Sequence, residues 1–126
     1  MAICIVDDDD AVRHALQRML RAHCFTISMF SSAEEFLNSA TSRQAGCLIL
    51  DVRMAGMTGL DLHRLLTAQG CRIPTILITA CPTQGERERA IAAGITSYLA
   101  KPFSEDELLR DVRSALAARE SLSGQP

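Results

Sequence analysis

The run Cys47-Leu48-Ile49-Leu50 ends at Asp51, and the chemistry of this chain is read outward from that carboxylate. A continuous apolar run bounded by Gly46 suits a strand buried on both faces of a parallel sheet. A carboxylate at the carboxyl end of such a strand is costly unless its charge is paired or used. Alone, Asp51 can equally cap a turn or the following helix. Its meaning therefore depends on what the other strand ends bring to it. Asp7 and Asp8 follow the apolar run 2–6, Thr79 follows 74–78, and Lys101 follows 95–100.

Three carboxylates crowded together repel one another, and one takes up a proton unless a cation lies between them. All-oxygen ligands suit a hard divalent ion, and a site with few carboxylates that keeps its waters suits Mg²⁺. Lys101 adds a mobile positive charge and Thr79 a hydroxyl donor. A carboxylate beside Mg²⁺, a lysine and a hydroxyl can act as a nucleophile toward a phosphoryl group, whose equatorial oxygens require such partners. The plainer reading of the same residues is a buried Asp–Lys ion pair beside an Asp-rich helix cap.

These residues must be positioned by the elements between them. Ala2 to Val6 reads as a first strand, followed by Asp7-Asp8-Asp9-Asp10 and a helix with Val12, Leu16, Met19 and Leu20 at helical spacing. Asp9 or Asp10 can cap that helix. Residues 25–30 alternate apolar and polar, which suits an edge strand with one wetter face. Ser31-Ser32-Ala33-Glu34-Glu35 is a doubled capping-box pattern that opens a short helix. After Asp51, Thr58 or Gly59 starts a helix with Leu60, Leu65 and Leu66 inward. The fourth strand is 74–78, the fourth helix 86–93 closed by Gly94, and the fifth strand 95–100. Ser104-Glu105-Asp106-Glu107 opens a last helix with Leu108, Leu109, Val112, Ala115 and Leu116 inward.

Five strands alternating with five helices predict an α/β domain with a doubly wound five-stranded parallel sheet and right-handed crossovers. Ligands of such sheets bind outside the carboxyl ends of the strands, at the switch in strand order. Asp7, Asp8, Asp51, Thr79 and Lys101 all fall there.

The chain of 126 residues is long enough for one domain with a core of its own. A net charge of −2 gives no electrostatic footprint for nucleic acid or an anionic membrane. No apolar run reaches the length of a membrane span, and the start lacks the basic segment of a signal peptide, so a cytoplasmic protein is expected. Cys4, Cys24, Cys47, Cys71 and Cys81 show no zinc spacing and read as free thiols in a reducing compartment. His14, His23 and His63 have no mutual spacing for a metal or relay and read as helix-face or helix-end residues.

Four motifs in register closely resemble the receiver domain of two-component response regulators. They are Val6-Asp7-Asp8, Leu50-Asp51-Val52-Arg53-Met54 with Gly56-Met57-Thr58-Gly59, Ile78-Thr79-Ala80, and Tyr98 with Lys101-Pro102-Phe103. The resemblance spans nearly the whole chain and looks most like FixJ-type regulators, whose receivers usually precede a helix-turn-helix domain. It implies a flavodoxin-like strand order 2-1-3-4-5, with residues 1–120 as the receiver and 121–126 as a fraying tail or the start of a linker to an output domain.

It further implies that Asp51 accepts a phosphoryl group from a sensor histidine kinase. Asp8, Asp51 and the backbone carbonyl of Arg53 would hold Mg²⁺, with Asp7 assisting through water. Thr79 and Lys101 would bind the phosphoryl oxygens, and Tyr98 would turn inward as Thr79 moves. A cis Lys101–Pro102 bond and phosphorylation-dependent homodimerisation are further expectations, and DNA would be reached only through an output domain. Ala55 stands where the family usually has proline, so the loop after Asp51 is expected to be looser. Arg53 and Cys81, each two residues beyond a site residue, occupy positions that in this family influence how fast the phosphoryl group is lost.

Other functions fit less well. A phosphorylation-independent interaction module of the same fold is favoured only by Ala55. An aspartyl-nucleophile phosphatase wants a second Asp two residues after the first, where this chain has Arg53. A flavodoxin-like cofactor carrier would meet a phosphate with Asp7 to Asp10, which repel it.

Overall fold

A computed structural model describes residues 2–39 and 42–123. Its elements run β1 (Ala2–Val6), α1 (Asp10–Arg21), β2 (Thr26–Phe30), α2 (Ala33–Leu37), a 3₁₀ turn (Ser42–Gln44), β3 (Cys47–Asp51), α3 (Gly59–Ala68), β4 (Thr75–Thr79), α4 (Gln84–Ala92), β5 (Ser97–Ala100) and α5 (Glu105–Ser123). The strands form one parallel sheet in the order β2-β1-β3-β4-β5. This is the predicted doubly wound architecture, with β2 at an edge.

Alternation along the buried strands divides the core into two layers. Val6, Leu48, Leu50 and Leu77 face Phe36 of α2, Leu62 and Leu66 of α3, and Ala90 of α4. Ile3, Ile5, Ile49, Ile76 and Ile78 face Leu16 and Leu20 of α1 and Leu108, Val112 and Ala115 of α5. Cys47 to Leu50 have no exposed surface, as a strand covered on both faces requires. Edge strand β2 is covered as well: Ile27 and Met29 pack in one layer and Phe30 in the other, so only Thr26 is exposed. That exposed residue lies on the wetter face suggested by the alternation, while the rest of the strand is half-buried.

Side-chain caps set the helix starts. Asp9 accepts from the amides of Ala11 and Val12, Ser32 from Glu35, and Ser104 from Glu107. Thr58 and Asp61 form a reciprocal capping box at α3. Thr83 accepts from the Glu86 amide, so α4 begins at Gln84, ahead of the expected Glu86. Gly94 follows α4 with φ +88°, a conformation that glycine adopts without strain. On α3, the buried face is Leu60, Leu62, His63 and Leu66, while Leu65 lies at its flank, only half-buried. Helix α5 extends to Ser123, into the segment expected to fray, and residues 124–126 lie outside the described residues.

Candidate functional site

Register brings the predicted residues together. Val6 pairs with Leu50, so Asp7 and Asp51 leave adjacent strands at the same level. Thr79 pairs with Ala100, immediately before Lys101. In the strand order 2-1-3-4-5 the connections reverse between β1 and β3, so Asp7, Asp8 and Asp51 sit at the switch point.

Asp51 is held at both carboxylate oxygens. Its Oδ1 accepts the Arg53 amide at 3.0 Å, and its Oδ2 stands 3.4 Å from Nζ of Lys101. The Asp51 side chain is 14% exposed and that of Lys101 25%, so the pair is partly screened from water while open to a small ligand. Lys101 is fixed from behind, where its amide donates to the Thr79 carbonyl at 2.8 Å. The Lys101–Pro102 peptide is cis, as the resemblance implied. Thr79 is buried, and its hydroxyl accepts the Cys81 amide at 3.1 Å, leaving the hydroxyl proton to donate elsewhere.

Asp7 has no exposed surface. Its Oδ1 accepts the Asp9 amide at 2.9 Å, and its Oδ2 is buried without a partner. Burial, reinforced by the neighbouring Asp51 carboxylate and opposed by the Asp9 amide, pushes the Asp7 carboxyl up to about 6. Asp8 is exposed, and its Oδ2 accepts the Ala55 amide at 3.1 Å. The Arg53 guanidinium is exposed and, among the described residues, makes no hydrogen bond or ion pair.

Gly59 belongs to the site as well, though the sequence reading gave it no such role. A Cβ there would lie 2.4 Å from the Asp51 carbonyl oxygen, so α3 can start this close to β3 only with glycine. Arg13, also unremarked, donates to the Asp7 carbonyl and pairs with Asp10, bracing the β1–α1 loop. Its spacing of three residues from Asp10 was the available signal.

Among the described residues no three Asp, Glu, His or Cys side chains form a ready-made metal cluster. Mg²⁺ does not require one, because it takes one or two carboxylates and retains several waters. The unpartnered buried oxygen of Asp7, beside Asp51 and Asp8, fits a bound cation with its waters. Tyr98 lies on β5, half-buried, and its hydroxyl donates to Glu86 of α4 while the Arg87 guanidinium stands 4.9 Å from the ring centroid. Cys81 is exposed, and among the five free cysteines only Cys4 and Cys47 are buried.

Fold and site together define a doubly wound α/β domain with an acidic pocket, a lysine and a hydroxyl at the switch in strand order. Residues 3–113 match the response regulator receiver domain, and the chain belongs to that family, the receivers of two-component systems. It is 45% identical over 114 residues to the response regulator protein TodT of Pseudomonas putida, covering 90% of this chain and 50% of that protein. It is 32% identical over 121 residues to the transcriptional regulatory protein TdiR of Thauera aromatica, covering 96% and 53%. The chain thus spans about half the length of these curated relatives. Among solved structures it resembles FixJ-N (TM-score 0.83, 33% identity, 92% of this chain and 93% of that one). It also resembles the response regulator StyR (TM-score 0.87, 38% identity, 97% and 62%).

Proposed function

We propose that this domain is a phosphoacceptor switch in which Asp51 takes a phosphoryl group from a phosphohistidine of a sensor histidine kinase. The observation that carries the reading is the partly buried Asp51 carboxylate, 3.4 Å from Lys101 Nζ at the switch in strand order. A carboxylate oxygen of Asp51 attacks phosphorus, the P–N bond breaks, and the imidazole nitrogen leaves and takes up a proton. Lys101 and the Thr79 hydroxyl then bind oxygens of the transferred group, which carry its charge. Asp8, Asp51 and the Arg53 carbonyl would hold Mg²⁺, with Asp7 reaching it through water; when bound, the ion would neutralise charge on the phosphoryl oxygens.

Thr79 lies at the end of β4, and its carbonyl binds Lys101 at the end of β5, so a shift toward the phosphoryl group is felt on both strands. Tyr98, tied here to Glu86 and the Thr83 amide, is the readout on the face made by α4, β5 and α5. That face would control a second copy of the chain or an output domain. We take residues 1–120 as the receiver and 121–126 as a tail or the start of a linker to an output domain, and assign any contact with DNA to such a domain. No described helix is long and apolar enough to cross a membrane, and a cytoplasmic setting is part of this reading.

Intact mass after incubation with acetyl phosphate tests the proposal. A single phosphoryl addition is expected with Mg²⁺, none with EDTA, and none for Asp51→Asn. A folded wild type that gains no mass under any condition would favour the interaction-module reading.

A further inference from the structure

The loop after Asp51 is pinned at two amides, and its carbonyl of interest lies between them. The Arg53 N–H donates to Asp51 Oδ1 at 3.0 Å, and the Ala55 N–H donates to Asp8 Oδ2 at 3.1 Å. Met54, between the two anchors, is buried. Residues 53–55 therefore bridge the carboxylates that end β1 and β3, and Asp8 keeps Oδ1, which has no described protein partner, for another ligand.

We infer that the backbone N–H of Ala55 is a positioning group of the Mg²⁺ site, orienting Asp8 and the Arg53 carbonyl toward one ion before it arrives. The inference rests on the proposed reading of the pocket as an Mg²⁺ site. A proline cannot make this bond, because it has no backbone N–H. Alanine here is thus a different solution to loop order, with a hydrogen bond to a charged group replacing a rigid ring. Rotamer freedom of Asp8 is lost in forming the bond, so less remains to be lost on binding the ion. Charge-assisted bonds are the stronger kind, although exposure weakens this one. Proline at position 55 frees the Asp8 carboxylate from this bond, so more freedom must be lost when the ion binds, which sets the expected sign.

The test is the Mg²⁺ affinity of the wild-type chain, Ala55→Pro and Ala55→Gly by titration calorimetry. Ala55→Pro is expected to bind Mg²⁺ about fivefold more weakly, the effect of one exposed charge-assisted bond. Ala55→Gly, which keeps the donor, should stay within about twofold. Equal or tighter binding by folded Ala55→Pro would overturn the inference and leave the Mg²⁺ reading standing. No Mg²⁺ binding by wild type would overturn both.

A second measurement needs no proline variant. The Ala55 amide proton, followed by NMR, should exchange severalfold faster in Asp8→Ala than in wild type and should shift when Mg²⁺ is added. An Ala55 amide that responds to neither change would contradict the inference.

Discussion

Lys101 Nζ lies 3.4 Å from Asp51 Oδ2, and 50 positions of sequence separate the two residues. The contact exists because β3 and β5 flank β4 in one parallel sheet and end at the same pole. It gives Asp51 a neutralising partner and, on the proposed reading, would give an incoming phosphoryl group its first cation.

Lys101→Ala should therefore impair transfer more than stability. A partly exposed ion pair contributes about 0–1 kcal/mol to folding, so the denaturant midpoint should move little. Loss of a positioned cation on the transferred group should slow phosphoryl gain from acetyl phosphate by about 100-fold. A variant that phosphorylates at the wild-type rate would remove Lys101 from the site.

Asp7 makes the metal-free protein sensitive to pH. Its folded value of about 6 lies above the ordinary 3.8, so between them the folded state binds more protons than the unfolded. Stability from this group is consequently present at low pH and declines as pH rises through that window, by about 3 kcal/mol in full. In EDTA, Asp7→Asn should be more stable than wild type at pH 7.5, and the difference should vanish near pH 4. Added Mg²⁺ should stabilise wild type more at pH 7.5 than at pH 5. Denaturant unfolding across this range reads both effects, and an unchanged difference between the two proteins would refute the assignment.

Gly59→Ala tests the close approach of α3 to β3. The added methyl would meet the Asp51 carbonyl at 2.4 Å, backbone that cannot simply rotate away. A loss of about 1–3 kcal/mol is expected, together with slower phosphorylation because Asp51 is displaced. Retention of both stability and rate would show that the loop yields freely.

His63 gives a pH effect of the opposite sign. Its Nε2 lies 2.9 Å from the Ala93 carbonyl and must donate to it, while Nδ1 lies 3.2 Å from the Thr75 hydroxyl. Burial holds this imidazole below the usual histidine value of 6.5, so its contribution is present above that pH and is lost as pH falls. His63→Leu should cost about 1–3 kcal/mol at pH 7.5 by leaving the Ala93 carbonyl unpaired, and less at pH 5. Equal costs at both pH values would contradict a neutral His63 that donates to the Ala93 carbonyl.

The contrast between Asp51 and His63 shows which parts of the molecule were legible in the sequence. Asp51 could be read because a continuous apolar strand announces itself, and because strand ends in a parallel sheet share one pole. The same logic placed Asp7, Thr79 and Lys101. His63 is buried by partners on β4 and beyond α4, which no local period reports. The start of α4 was missed because Thr83, a loop residue in the pattern, is its cap. The Ala55–Asp8 bond was invisible for a simpler reason: its donor is backbone. The amide carries no residue-type signal except that proline would remove it.

The most direct test of Asp51 as the acceptor is to find the phosphoryl group on it. Borohydride reduces an aspartyl phosphate to homoserine, which peptide mass spectrometry locates. After acetyl phosphate and Mg²⁺, homoserine is predicted at position 51 of the wild-type chain and nowhere else. Homoserine at Asp7 or Asp8 with none at 51, or none anywhere in a chain that has gained phosphoryl mass, would contradict the account.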